Sequence, residues 1–285
     1  MKGIVFGGCS FTWGQGLYYY HGLETLKEPP ANQYIAQYVR PAHLRYMESI
    51  RFPRLVANYF DTFEVVKFQN GGSEDETIKF IDYIFDSNNN AHTYLHTDKF
   101  NFSEIEYIII QTSQPTRNSF TFTLNDETYS MNLQGSNPDE RKPFFQYLEQ
   151  NNITYDEWLN SFIKEQVDRL KIEMKFYEGK GIKVRLLCWE RDFISSILAD
   201  EFLNDRLIRL SYFNGTQNKK YETIRELMKE NPSMEIQNDF RSFTTPPKDH
   251  HPSRRCHEVI AENIINYLEK EEIWQRPNIP TTRIH

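Results

Sequence analysis

Two short stretches at opposite ends of the chain hold the residues whose types and spacing could do covalent chemistry. Near the start, Lys2–Leu17 reads KGIVFGGCSFTWGQGL: an apolar run stops at Gly7 and Gly8 and is followed by Cys9 and Ser10. A serine just past a strand end lies where open α/β sheets carry their ligand sites, and it becomes a nucleophile when a base can reach its hydroxyl. Near the other end, Asp249-His250-His251-Pro252-Ser253 supplies such a base. A histidine takes the hydroxyl proton, and an acid two residues upstream holds its tautomer and stabilises the imidazolium. The order Ser, Asp, His along the chain is compatible with this, because such triads are defined by geometry.

Other polar groupings are weaker. Gly14-x-Gly16 lacks the third glycine of a dinucleotide loop, and the next strand ends in Asn70 where an acid for a ribose is wanted. His92 and His96 have the i,i+4 spacing of helical metal ligands, but their surroundings do not read as helical and no third ligand is evident. A metal site from Asp249, His250, His251 and His257 is a further alternative. The expectation is no metal and no cofactor.

The reactive residues need a scaffold, and the pattern along the chain supplies one. Gly3–Phe6, Phe63–Phe68, Ile105–Ile110 and Ile182–Trp189 read as strands; Ile105–Ile110 is near-continuously apolar, as a strand buried on both faces must be. Helical spacing runs from Leu44 to Phe60, split by Pro53, and over Asp75–Phe85. The longest helix is Thr154–Tyr177, opened by a capping box from Thr154 and Glu157 and ended by Gly179 and Gly181. Leu207–Phe213 is a short fifth strand candidate, Glu222–Lys229 a helix, and a last helix capped by Ser253 runs to about Glu271 with Val259, Ile260, Ile264 and Leu268 inward. Residues 24–39 and 86–100 read as polar loops. Residues 118–143 form an insertion with a hairpin in which Phe120–Leu124 and Thr128–Leu133 alternate around Asn125-Asp126-Glu127. Strands alternating with helices predict a three-layer α/β/α sandwich with a mostly parallel central sheet, as one domain over 1–285 with a surface tail from about 275.

Composition narrows the partners. A net charge of −7 and a pI near 5.7 argue against a general nucleic-acid binder. No stretch has the roughly 18 uninterrupted apolar residues of a membrane helix, and Met1-Lys2-Gly3 leads into a strand without a signal-peptide core. Cys9, Cys188 and Cys256 read as reduced thiols of a cytoplasmic protein, a signature that phage-encoded origin would share. Aromatics make up 15% of the chain and can serve a core or a surface that stacks on sugars.

Together the two ends resemble the SGNH/GDSL hydrolase superfamily, which opens with a strand and Gly-Asp-Ser and closes with an Asp-x-x-His or Asp-x-His element often continued as His-Pro-Ser. Here the opening is Gly8-Cys9-Ser10-Phe11-Thr12-Trp13-Gly14 and the close is Asp249 to His257. The resemblance implies Ser10 as nucleophile, His251 as base and Asp249 as its acid, with His257 structural. It also implies an oxyanion glycine after the second strand, filled by Gly71 or, preferably, Gly72. The family's third motif carries an asparagine that donates to the oxyanion; this chain has Ser113 there, with Thr112 beside it and Arg117 downstream, similar to a phage-like branch that carries Thr-Ser and a following Arg. Losing an oxyanion donor without replacement costs about 2.7–4 kcal/mol of barrier. The implied activity is that of a serine esterase removing a small acyl group, such as acetyl, from a carbohydrate or similar ester. The alternative is a binding module that keeps the fold and holds a glycan or protein without catalysis.

Overall fold

An apolar run without polar alternation has to be covered on both faces, and the first strand, β1 (Gly3–Gly7), is buried at all five positions. The structure is a computed structural model that describes residues 2–9, 12, 17, 41–66, 73–86, 100–231, 235–237 and 248–271, with backbone alone at 41–44, 235–237 and 248–250. After β1 come α1 (Pro41–Ile50), α2 (Phe52–Tyr59), β2 (Glu64–Val66), α3 (Glu74–Phe85) and β3 (Ile105–Gln111). A hairpin of β4 (Phe120–Leu124) and β5 (Glu127–Met131) is followed by α4 (Pro138–Gln150), α5 (Tyr155–Gly179) and β6 (Lys183–Leu187). The remainder holds α6 (Arg191–Ala199), α7 (Glu201–Asn204), β7 (Leu210–Phe213), β8 (Asn218–Tyr221), α8 (Ile224–Glu230), β9 (Glu235–Gln237), β10 (Lys248–Pro252) and α9 (Arg254–Lys270).

The central sheet has the order β2-β1-β3-β6 among the described residues, and each of its pairings is parallel. Alternate residues of the strands feed two separate cores. Ile4, Phe6, Tyr107 and Ile109 pack with residues of α2, α8 and α9. Val5, Ile108, Ile110, Val184 and Leu186 pack with residues of α3, α5 and α6. The sheet thus has helices on both faces, the expected three layers.

Local chemistry explains most boundaries. Pro53 sits in the first turn of α2, where its missing N–H is harmless, and the break from α1 falls at Arg51. Ser73 and Glu76 form a capping box that starts α3. Thr154 and Glu157 do the same for α5, which ends at Lys180 before Gly181, whose φ is +85°. The insertion folds on its own small core, in which Phe122, Leu124 and Leu133 meet Phe144 and Leu148 of α4.

Helix α4 and the Leu207–Phe213 segment are among the elements that differ from the sequence expectation. Helix α4 extends the insertion to Gln150; Asn137 caps it, Pro138 opens it, and the internal Pro143 obscures its helical pattern in the sequence. Leu207–Phe213 is not a fifth strand of the main sheet. Leu207 makes a single parallel bridge to Leu186, and the chain then pairs β7 with β8 as a separate antiparallel hairpin. The expected loop at 24–39, residues 87–99 of the loop expected at 86–100, with His92 and His96, and the tail from 275 lie outside the described residues.

Candidate active site

The parallel strands direct their C-terminal ends to one edge, and the segments leaving β1 and β3 there carry Cys9 and Thr12 on one side and Thr112 and Ser113 on the other. At the end of β1 two glycines are required by close approach. A Cβ on Gly7 would meet Thr77 Cγ2 of α3 at 2.5 Å, and one on Gly8 would overlap Thr12 Oγ1 and come within 3.0 Å of Gln111 Cβ. The turn beyond is closed by Thr12 N–H donating to the Cys9 carbonyl at 3.1 Å. Gln111, the last residue of β3 and 2% exposed, then grips both sides of this turn. Its Oε1 accepts from Thr12 Oγ1 at 2.7 Å, and its Nε2 donates to Cys9 Sγ at 3.3 Å. Ser10 itself lies outside the described residues, as do Gly71 and Gly72; the described residues on either side of Ser10, Cys9 and Thr12, are anchored to the neighbouring strand.

The loop leaving β3 carries Thr112 and Ser113, both buried. Thr112 Oγ1 donates to Cys188 Sγ at 3.4 Å and accepts from the Trp189 N–H at 3.3 Å, so it joins the ends of β3 and β6. The Ser113 N–H donates to the carboxylate of Glu74 at the start of α3. The other Glu74 oxygen accepts from Asn118 Nδ2 at 2.9 Å, and Asn118 Oδ1 accepts from the Asp75 N–H at 3.3 Å. Burial pushes the Glu74 carboxyl up to about 7, with the hydrogen bonds from Ser113 and Asn118 opposing and the charge of Asp75 adding to the rise. Arg117 turns toward the insertion, its Nε donating to Gln134 Oε1 at 2.9 Å. At the end of β6, Glu190 accepts from Gln114 Nε2 at 2.7 Å and faces Arg225 at 3.6 Å. Burial pushes the Cys188 thiol up to about 12, which keeps it neutral.

Positions 249 and 251 lie in β10, a strand where the sequence suggested a loop; it pairs antiparallel with β9. The side chains of Asp249 and His250 are outside the described residues. His251 is half-buried. Two residues on, Ser253 caps α9 by accepting from the Cys256 N–H at 3.2 Å. One turn further, His257 is fully buried and stacks on Phe52 with ring centroids 5.6 Å apart, while Phe52 meets Phe6 of β1 edge-on at 5.8 Å. His257 Nδ1 accepts from the Phe52 N–H at 3.1 Å, so a neutral ring carries its proton on Nε2. Burial lowers its pKa to about 3, with the charges of Arg51 and His251 acting in the same direction. This chain of rings holds the helix that follows His251 against the strand that precedes Ser10.

Glu74, Asn118, Gln111 and Thr12 were not legible as site residues in the sequence. Glu74 looks there like any acid in a helix's first turn, and the others form no motif. Among the described residues no group of three or more His, Cys, Asp and Glu is arranged to hold a metal ion, and no helix is long and apolar enough to cross a membrane.

No family model matches the chain and no curated protein matches it. Among solved structures, it is similar to an acetyl xylan esterase from the rumen bacterium Butyrivibrio proteoclasticus, at 13% sequence identity and a TM-score of 0.42. It is also similar to a family two carbohydrate esterase from Clostridium thermocellum in complex with cellohexaose, at 10% identity and a TM-score of 0.36. Each likeness takes in 96% of this chain and 65% of the other, so the chain spans less than two thirds of either protein.

Proposed function

We propose that the chain is a single-domain serine esterase of SGNH type, which removes a small acyl group, such as acetyl, from a carbohydrate or similar ester. The observation that carries this reading is the corner built by Phe6, Phe52 and His257. It puts the helix entered from His251 beside the strand that leads to Ser10, although Phe52 and His257 are 205 residues apart in sequence. Gln111 then fixes both flanks of Ser10 to β3, next to the loop of Ser113.

In this reading the Ser10 hydroxyl adds to the ester carbonyl as His251 takes its proton, and Asp249 holds the imidazole. The Ser10 and Gly72 N–H groups donate to the resulting oxyanion, and the Ser113 hydroxyl supplies the donor that an asparagine gives elsewhere in the family. Thr112 and Arg117 support that loop from its two sides. Collapse of the intermediate expels the alcohol, which takes the proton from His251. Water then releases the acyl group by the same steps in reverse.

The test is intact-mass labelling of the protein and of Ser10→Ala with a fluorophosphonate. One adduct on the wild type and none on the variant supports an activated Ser10 and directs screening to acetylated sugars and short esters. No adduct on either protein removes the hydrolase reading in favour of a binding module.

A further inference from the structure

Glu74 is a carboxylate buried to 4% exposure, and its hydrogen-bond donors are neutral. Burying such a group is unfavourable, and an apolar side chain could fill the same space. Helix capping does not account for it, since Glu76 closes the capping box with Ser73, and Asp75 and Glu76 already complement the helix dipole.

Its hydrogen bonds show what it does instead. One oxygen accepts from the Ser113 N–H and the other from Asn118 Nδ2, and Asn118 Oδ1 returns to the Asp75 N–H on α3. The three bonds close a ring between the first turn of α3 and the loop after β3. Ser73, the cap of that helix, directly follows Gly72 in sequence. The clamp therefore joins the segment of Ser113 to the helix that follows Gly72, the two proposed sources of oxyanion donors.

We infer that Glu74 is a positioning residue for oxyanion stabilisation, which locks the Ser113 loop onto the α3 N-terminus through Asn118. The inference rests on the esterase reading of the site. Only a group that accepts at both oxygens completes the ring, so the ring is complete with Glu74 ionised, above about pH 7. A glutamine accepts at one end and sets its NH2 against either the Ser113 N–H or the Asn118 NH2. Exchanging the acid and amide functions between the two positions restores the pattern, because an aspartate at 118 accepts from a glutamine NH2 at 74 and still accepts from the Asp75 N–H.

The experiment compares the full chain with Glu74→Gln and with the exchange variant Glu74→Gln/Asn118→Asp. Hydrolysis of p-nitrophenyl acetate gives kcat and KM, and hydrogen exchange is followed in peptides spanning 111–119. Glu74→Gln should lower kcat roughly tenfold or more with KM within about twofold, the mark of an interaction needed in the transition state. Exchange over 111–119 should be faster in that variant, and the exchange variant should recover both readouts. Unchanged kcat in Glu74→Gln overturns the inference while leaving the esterase reading intact. Loss of kcat without faster exchange, or without recovery in the exchange variant, also overturns it. A wild type with neither turnover nor fluorophosphonate labelling removes the esterase reading, and the positioning role with it.

Discussion

Replacing Glu74 by glutamine should change how stability depends on pH, and the sign follows from the direction of the carboxyl's shift. Burial holds the folded-state value at about 7, against 4.5 for an exposed glutamate. Between those two values the folded chain binds a proton that the unfolded chain has released. Stability from this group is therefore fully present below about pH 4.5 and declines until about pH 7. The displacement corresponds to about 3 kcal/mol, a sizeable fraction of the total stability of a typical domain. Glutamine does not titrate, so the stability of Glu74→Gln minus that of the wild type should rise by about 3 kcal/mol from pH 4.5 to 7 and then level off. Groups common to both proteins cancel in this difference. Those facing Glu74 are Asp75, paired with Arg169 at 2.5 Å, and the Cys188 thiol, which stays neutral over the range. Urea denaturation at half-unit pH steps would measure it. A difference that is flat across this window, or that falls with pH, would refute the account of Glu74 as a carboxylate raised by burial.

Other outcomes follow from the same geometry. His257→Phe leaves the Phe52 N–H without its acceptor and should cost about 1–3 kcal/mol in denaturant melts at pH 7. Because the His257 pKa is lowered to about 3, its own contribution to stability is full above about pH 6.5 and lost as pH falls toward 3, so this variant should flatten the acid side of the wild-type curve. Gly8→Ala drives a methyl into Thr12 and Gln111 and should destabilise by about 1–3 kcal/mol and slow fluorophosphonate labelling of Ser10. Thr154→Ala removes the α5 cap, far along the chain from the site segments, and should cost about 1 kcal/mol with esterase turnover unchanged. Cys9, Cys188 and Cys256 are buried and should resist iodoacetamide in the native protein at pH 8 but react once it is unfolded.

Local physics carried much of this fold in the sequence itself. Ile105–Ile110 could only be a strand covered on both faces, Thr154 and Glu157 announced the start of the longest helix, and Val259, Ile260, Ile264 and Leu268 marked the buried stripe of the last one. These signals depend on neighbours within a few residues, so they survive in one dimension. The candidate nucleophile, base and acid can be proposed for the same reason, as short motifs. Helix α4 was not legible, because Pro143 contradicts its local pattern and packing of Phe144 and Leu148 against the hairpin helps to sustain it. The Leu207–Phe213 segment has a strand's composition, yet whether it extends the sheet or turns back on β8 depends on pairing across space. Glu74 and Asn118 are polar residues of ordinary appearance, and Gln111 is simply the end of a strand. Their burial, and hence the raised carboxyl and the clamp it closes, exists only once β3, α3 and the loop after β3 exclude water from between them.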